Sequence, residues 1–109
     1  MKVLLNEDAE ADVDFVDAWW RENRKDAPNL FRDELTGILE LLASSPRAGE
    51  AYKPLAGRTV RRTLLKRTRR YVYHFVLDDE TVLVIAVWGT ERGQGPPLRL
   101  RGRPPRHRP

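Results

Sequence analysis

Hydrophobic residues recur with a helical period in the first half of the chain and with strand-like periods in the second half. Residues 2–6 form a short apolar run that predicts an initial strand. Asn6 then precedes the stretch EDAEADVDFVDAWWREN as a candidate N-cap. In that stretch apolar residues three and four positions apart predict a helix, namely Ala9, Val13, Val16 and Trp20. Because Trp19 adjoins Trp20, the two rings cannot share one helix face, and we expect Trp20 in the core and Trp19 partly exposed.

A second helical pattern follows the break at DAP. Its apolar stripe consists of Phe31, Leu35, Ile38 and Leu42. Pro28 is tolerated near a helix start because its missing N–H has no partner there. Pro46 disfavours helical geometry in the residue before it, so the helix should end by Ser45. The short break between the two patterns predicts an antiparallel helical hairpin.

The remaining pattern predicts three strands at residues 60–66, 69–77 and 81–88. The segment LDDET joins the last two as a tight turn, since short polar side chains suit turn geometry. The run VLVIAVW is apolar throughout, so we expect it at the centre of the sheet with both faces covered. We interpret the preceding segment RAGEAYKPLAGR, with its glycines and proline, as a loop.

These elements predict an α+β fold with the order β-α-α-β-β-β, in which the helical hairpin packs on a mainly antiparallel, four-stranded sheet. The 109 residues suit one compact domain, which we place at residues 1–92. Residues 93–109 are rich in proline, glycine and arginine and contain little to bury. We expect them to form a flexible tail.

Charge is distributed unevenly and changes how the pI of about 9.8 should be interpreted. Residues 7–26 contain eight acidic and three basic side chains, whereas residues 58–70 contain seven basic side chains and no acidic one. The tail adds five arginines. One basic strand pair and the tail therefore account for the high pI. The acidic first helix is one candidate to neutralise this strand pair, and an external anionic partner is the other.

Several classes of site are excluded by composition. The chain has no cysteine, and His74 and His107 are too few and too far apart for a zinc site, so we predict no metal and no cofactor. No apolar run approaches the length of a membrane span, and the N-terminus is unlike a signal peptide. We therefore expect a cytoplasmic protein with no membrane partner.

The same element order occurs in a known family, and particular sequence segments carry the resemblance. They are AEADVDFVDAWW, APNLFRDEL leading into ILELLASSPRAGEAY, VRRTLLKRTRRYVYHFV, and VLVIAVWGTERGQGPPL. In this order, over residues 2–98, the chain resembles the RelE/ParE superfamily of toxins from type II toxin–antitoxin systems. Within it the chain is most similar to the ParE-like, plasmid-stabilisation branch.

The resemblance implies a protein partner and a toxic activity. The partner is a ParD-like antitoxin whose C-terminal segment wraps the toxin in a hetero-oligomer. The activity differs between branches, because RelE-like toxins cut messenger RNA on the ribosome, whereas ParE-like toxins are described as inhibiting DNA gyrase without nuclease chemistry.

The residues favour a binding protein over a nuclease. A ribonuclease needs a base, an acid and cations at the phosphorane. We expect the cations at one end of the sheet as a target-binding patch of Arg61, Arg62, Arg69 and Arg92. No proton-transfer group is evident: many relatives have a histidine where this chain has Gly89, and an unperturbed tyrosine is a poor base at neutral pH. We expect Tyr71 and Tyr73 to serve in core packing, and His74 to point to the opposite side of the strand.

The leading hypothesis is therefore a toxin that inhibits DNA gyrase by binding, contacts nucleic acid only indirectly, and is neutralised by a ParD-like antitoxin. Aromatic and arginine side chains anchor many protein interfaces. On this ground we assign antitoxin binding to Trp19, Arg58, Tyr71 and Trp88. Two alternatives remain, a metal-independent, ribosome-dependent endonuclease and a degenerate toxin acting as a binding module.

Overall fold

The computed structural model describes residues 1–90 and 95–99. The chain runs in the order β1 (Lys2–Leu5), α1 (Glu7–Asn23), α2 (Leu30–Ser44), β2 (Glu50–Leu55), β3 (Arg58–Leu65), β4 (Arg70–Asp78) and β5 (Thr81–Gly89). Both helices lie where the apolar spacing predicts them. The Asn6 side chain accepts a hydrogen bond from the Ala9 N–H at 2.9 Å, which caps the first helix as expected.

The sheet has five strands in the order β1-β5-β4-β3-β2, rather than the predicted four. β1 pairs with β5 in parallel, and the other three pairs are antiparallel, so the sheet is mixed. β5 lies inside the sheet between β1 and β4, but β4 and not β5 is the central strand. The α+β class is thus correct, while the strand count and the centre of the sheet are not.

The additional strand, β2, comes from the segment that the sequence suggested was a loop. β2 is an edge strand, where Pro54 is tolerated because one side of the strand forms no ladder bonds. It joins β3 through a two-residue turn in which Ala56 and Gly57 have φ values of 51° and 78°. Positive φ at both positions is the type I′ hairpin geometry. Alanine at the first position concealed this turn, since asparagine or aspartate usually marks it.

The sheet separates two apolar clusters. On one face both helices pack on a cluster that includes Trp20, Phe31, Leu42, Val72 and Val84. The opposite face holds a smaller cluster built around Val60, Tyr73, Phe75, Ile85 and Ala86. Two successive residues of β5 belong to this second cluster because the register with β4 shifts there by one residue.

A C-terminal segment, residues 95–99, lies over the second cluster. Pro96 is buried and Leu98 packs against the cluster. Gly95 sits so close to the Tyr52 hydroxyl that a Cβ at this position would collide with it. The Asn6 amide donates a hydrogen bond to the Arg99 carbonyl at 3.0 Å. The other residues of the tail, 93–94 and 100–109, lie outside the described residues.

Neither α1 nor α2 is both long and apolar enough to cross a membrane, and these are the helices of the described part of the chain.

Candidate functional site

A groove opens between α1, the loop joining β3 to β4 (residues 66–69), and the end of β5. We call it the α1 groove, and it has a volume of about 630 Å³. α1 supplies its aromatic wall, with Trp19 and the neighbouring side chains of the same helix. The loop and the first residue of β4 supply arginines on the other side. The side chains that line it include Phe15, Trp19, Arg24, Arg67, Arg69, Arg70 and Trp88.

Aromatic rings are exposed along one wall of the groove. Phe15 is 66% exposed and Trp19 is 38% exposed, whereas Trp20 is buried and donates its indole N–H to the Ala27 carbonyl at 2.8 Å. Phe15 and Trp19 are four residues apart, so they lie one above the other on the same helix face. The prediction of one buried and one partly exposed tryptophan is confirmed.

Two guanidinium groups flank the exposed indole. The Arg24 guanidinium lies 5.4 Å from the Trp19 ring centroid, and the Arg70 guanidinium lies 5.8 Å from the same centroid. Arg24 also lies 5.8 Å from the Trp20 centroid. At these distances a cation is attracted by the ring's electron-rich face. One tryptophan thus holds two arginines from elements that are far apart in sequence.

A carboxylate from α2 fixes the loop that carries the other arginines. Glu34 accepts hydrogen bonds from the Arg67 and Thr68 backbone N–H groups, both at 2.9 Å, and from the Thr68 hydroxyl at 2.7 Å. Thr68 is buried, while Arg69 has a left-handed φ of 59° and accepts a bond from the Thr90 N–H. The loop is therefore a rigid base from which Arg67 and Arg69 project.

Two carboxylates of α1 are engaged within the fold. Asp12 accepts a hydrogen bond from the Val87 N–H at 2.9 Å, which ties α1 to β5. Asp17 pairs with Arg21 at 3.2 Å and with Arg32 at 3.0 Å. Burial favours a raised pKa for Asp17, but the hydrogen bonds from the two arginines outweigh burial and hold the pKa below its usual value.

The acidic first helix therefore leaves several groove arginines without a carboxylate partner. Within residues 1–90 and 95–99, no carboxylate lies within 4.0 Å of the guanidinium groups of Arg24, Arg67 or Arg69. Neutralisation inside the molecule does not account for these three charges. They are available to an external anion.

A second arginine–aromatic cluster lies on the other face of the sheet, and we call it the Arg62 clamp. The Arg62 guanidinium lies 4.2 Å from the Tyr71 ring centroid and 4.8 Å from that of Tyr52, and it bonds Glu50 at 2.6 Å. Burial favours a lowered pKa for Arg62, but hydrogen bonding with Tyr73 and Glu50 outweighs it and raises the pKa. This arginine is satisfied within the molecule.

The target-binding patch predicted from sequence does not gather at one place among the described residues. Arg61 and Arg62 adjoin in β3 and therefore point to opposite faces of the sheet, and Arg61 donates to the Gly49 carbonyl. Arg69 lies in the β3–β4 loop at the α1 groove. Arg92 lies outside the described residues.

The residues predicted to bind an antitoxin divide between the two faces. Trp19 and Trp88 both line the α1 groove. Arg58 lies 5.6 Å from the Phe75 ring centroid and donates to the Leu77 carbonyl, while Tyr71 contacts Arg62 in the clamp. Trp88 also packs against the second cluster, so it lies where the groove and that face meet.

Several groove residues that the fold brings together were not predicted from the sequence. They are Phe15, Arg24, Arg67 and Arg70. The spacing of four between Phe15 and Trp19 was an available signal for an exposed aromatic stripe on α1. The approach of Arg70 to Trp19 depends on how the helix packs on the sheet, and no local pattern encodes it.

Of the candidate proton-transfer groups of β4, His74 and Tyr73 lie in the interior, whereas Tyr71 is half-buried against Arg62. His74 is fully buried on the helix-covered side of β4, and burial, above all, holds its pKa below the usual value. Tyr73 is buried on the opposite face, and burial raises its pKa even though Arg62 opposes this. His107 lies outside the described residues. In residues 1–90 and 95–99, no three histidine or carboxylate side chains are grouped so that they could hold a metal ion.

Comparison with known proteins identifies a family and a solved structure of similar fold. The profile of the family described as ParE toxin of type II toxin-antitoxin system, parDE, matches residues 3–93. A solved structure of the chromosomal ParDE TA system from P. aeruginosa is similar with a TM-score of 0.59 and 14% identity, over 84% of this chain and 97% of that chain. At that identity the likeness concerns the fold alone. Among curated proteins, no sequence matches.

Proposed function

The chain belongs to the ParE toxin family of type II toxin–antitoxin systems, and from this premise we propose that it inhibits DNA gyrase by binding and is neutralised by a ParD-like antitoxin. The observation that carries the proposal is the α1 groove. It presents exposed aromatic rings beside arginines that have no carboxylate partner in the described chain. Aromatic and arginine side chains dominate the energetics of many protein interfaces.

Burial of the candidate catalytic groups supports binding over cleavage. A general base must come within hydrogen-bond reach of the proton that it removes. His74 is fully enclosed between the sheet and the helices, and the Tyr73 hydroxyl has a raised pKa beside Arg62. Neither group offers an accessible base at neutral pH. We therefore propose a toxin that has no nuclease chemistry of its own and needs no metal or cofactor.

The antitoxin site in this proposal spans two faces of the molecule. One part of a wrapping antitoxin segment occupies the α1 groove at Trp19 and Trp88. A second part crosses the end of the sheet to Arg58 and Tyr71 on the other face. The position of Trp88, which contacts both regions, supports a continuous path. We propose that toxin and antitoxin form a hetero-oligomer in the cytoplasm.

We also propose that the arginines of the predicted patch bind the target, but that they contribute to different extents. Arg62 is engaged by Glu50 and two tyrosines, so it has less freedom to meet a target than Arg69 has at the groove. We expect Arg69 to contribute more to gyrase binding than Arg61 or Arg62. The same role is proposed for Arg92.

We also propose the domain boundary at residue 92, with residues 93–109 as a tail whose last part, residues 99–109, is separable from the fold. Leu98 packs against the second cluster and Pro96 is buried, so the test is a truncation that retains both residues. A chain ending at Leu98 should melt within a few degrees of the full chain. Failure of the truncated chain to fold would make residues 99–109 part of the domain.

Two assays distinguish inhibition of gyrase from cleavage of messenger. Purified protein is added to a gyrase supercoiling reaction and, separately, to a translating ribosome extract in which messenger ends are mapped by primer extension. The proposal predicts loss of supercoiling with intact messenger. Discrete cuts in ribosome-bound messenger, abolished by one Arg→Ala change, would instead establish a RelE-like endonuclease. Activity in neither assay, from a folded protein, would favour a degenerate toxin that acts only as a binding module.

A further inference from the structure

The α1 groove combines cations and exposed flat rings in a way that suits one class of ligand. We infer that it binds a single strand of nucleic acid directly, with a base stacked on Trp19 and phosphates at Arg24, Arg67 and Arg69. Sites for unpaired strands combine a positive groove that follows the backbone with aromatic rings on which bases stack. The inference does not depend on gyrase being the target.

The groove carries a surplus of positive charge. Arg24, Arg67 and Arg69 lack a carboxylate within 4.0 Å in the described chain. An arginine cluster of this kind repels itself in the absence of an anion. The surplus lies on both sides of the groove, because Arg24 follows α1 and the other two belong to the β3–β4 loop. A strand lying along the groove would place phosphates between these two groups of cations.

Trp19 is partly exposed and lies between two guanidinium groups. Its ring retains 38% exposure although two guanidinium groups lie within 6 Å of its centroid. Phe15, 66% exposed and four residues earlier, continues the aromatic surface along the same helix face. A single strand offers one flat ring and one negative charge per nucleotide, which matches this alternation of rings and guanidinium groups. A run of glutamates supplies the charge without the rings.

The β3–β4 loop is preorganised by hydrogen bonds to its backbone. Glu34 binds the backbone of Arg67 and Thr68, and the Thr90 N–H binds the Arg69 carbonyl at 3.2 Å. The cations therefore project from a backbone that is fixed before any ligand arrives. Ligand binding then does not have to order the loop backbone, which removes one of the costs of association.

The test measures binding of a fluorescein-labelled twelve-nucleotide oligo(dT) to the full chain, by anisotropy and by quenching of tryptophan emission. The arginines of the tail also attract polyanions, so oligonucleotide binding is compared among variants that all keep the tail. We expect Arg24→Gln combined with Arg67→Gln to weaken binding by about tenfold and to lower the salt slope of log K by about 1.4, since each phosphate contact on a single strand contributes about 0.7.

A matched pair of substitutions controls for net charge. Arg47→Gln combined with Lys53→Gln removes the same two charges from exposed positions outside the groove. This control should keep the wild-type slope and the tryptophan quenching. Trp19→Leu should abolish most of the quenching and weaken binding by about tenfold, because base stacking on an aromatic ring is lost.

Three results would overturn the inference. The first is an equal salt slope for the groove variant and the control, which would assign binding to the tail. The second is preference for a duplex over a single strand of the same length. The third is equal Trp19 quenching by poly-glutamate, which would mark the groove as a site for acidic protein segments. Tighter binding of oligo(rU) than of oligo(dT) would support the site and assign its preference to RNA.

Discussion

The α1 groove and the Arg62 clamp both combine arginine with aromatic side chains but differ in how their charges are satisfied. In the clamp, Glu50 bonds the guanidinium and Tyr52 and Tyr71 lie against it. In the groove, Trp19 holds Arg24 with no carboxylate within 4.0 Å of that arginine in the described chain. The clamp is therefore a finished internal contact that stabilises the fold. The groove has charge and aromatic surface left for a ligand.

The largest expected effect concerns the carboxylate that positions the groove loop. Glu34→Ala removes the acceptor for three hydrogen bonds and leaves the buried Thr68 donors unsatisfied. We expect a loss of about 3 kcal/mol in the free energy of unfolding. Chemical denaturation of this variant measures it. Glu40→Ala, at an exposed position on the same helix, is the control and should change stability by less than about 0.5 kcal/mol.

The comparison between the two clusters is sharpened by substituting one arginine from each. Arg62→Ala removes a guanidinium that contacts two tyrosine rings, and it should cost about 1–2 kcal/mol of stability. Arg67→Gln removes a groove cation whose side chain has no carboxylate partner among the described residues, and it should change stability by less than about 0.5 kcal/mol. Thermal melts of the two proteins measure the contrast. Equal losses would mean that the groove arginine is structural too.

A smaller effect is the dependence of stability on pH, which arises at His74 on the helix-covered face of the sheet. Burial and the charge of Arg61 hold the pKa of His74 below the usual value of about 6.5, although the Pro46 backbone opposes this. The unfolded chain therefore binds a proton at a higher pH than the folded protein does. Stability should be complete above pH 6.5 and decline as pH falls below it, by up to about 1.4 kcal/mol per pH unit.

Substitution of the histidine tests the origin of this pH dependence. In His74→Leu the buried imidazole is replaced by an apolar side chain that cannot titrate. Its free energy of unfolding should stay nearly level between pH 7 and pH 5.5, where the wild-type protein loses stability. An identical decline in both proteins would assign the effect to other groups.

The sequence was most informative where a periodic pattern coincided with burial. α1 and α2 were predicted because their apolar stripes are also their buried faces. β2 was missed because an edge strand needs little alternation, and because Ala56 stands where a type I′ turn usually has asparagine. Grouping Arg61 with Arg62 overlooked strand alternation, which sends neighbouring side chains to opposite faces.

The α1 groove could not be predicted from local sequence patterns. Its two guanidinium groups at Trp19 come from Arg24 and Arg70, which are separated in the chain by α2, β2 and β3. Packing of α1 against β5 and the hydrogen bonds of Glu34 to the β3–β4 loop bring them together. Such a site depends on tertiary contacts, so sequence spacing alone could not assemble it.

The central claim is that the open groove, and not the closed clamp, is the surface through which the protein acts on its target. The direct measurement is the protein concentration that halves gyrase supercoiling, compared among three folded proteins. They are the wild type, Arg67→Gln with Arg69→Asn, and the control Arg47→Gln with Lys53→Gln. Asparagine tolerates the left-handed backbone at residue 69, where φ is 59°. We expect the groove variant to need about tenfold more protein, with a difference that shrinks at high salt, while the control equals the wild type. Equal inhibition by all three proteins would contradict the claim.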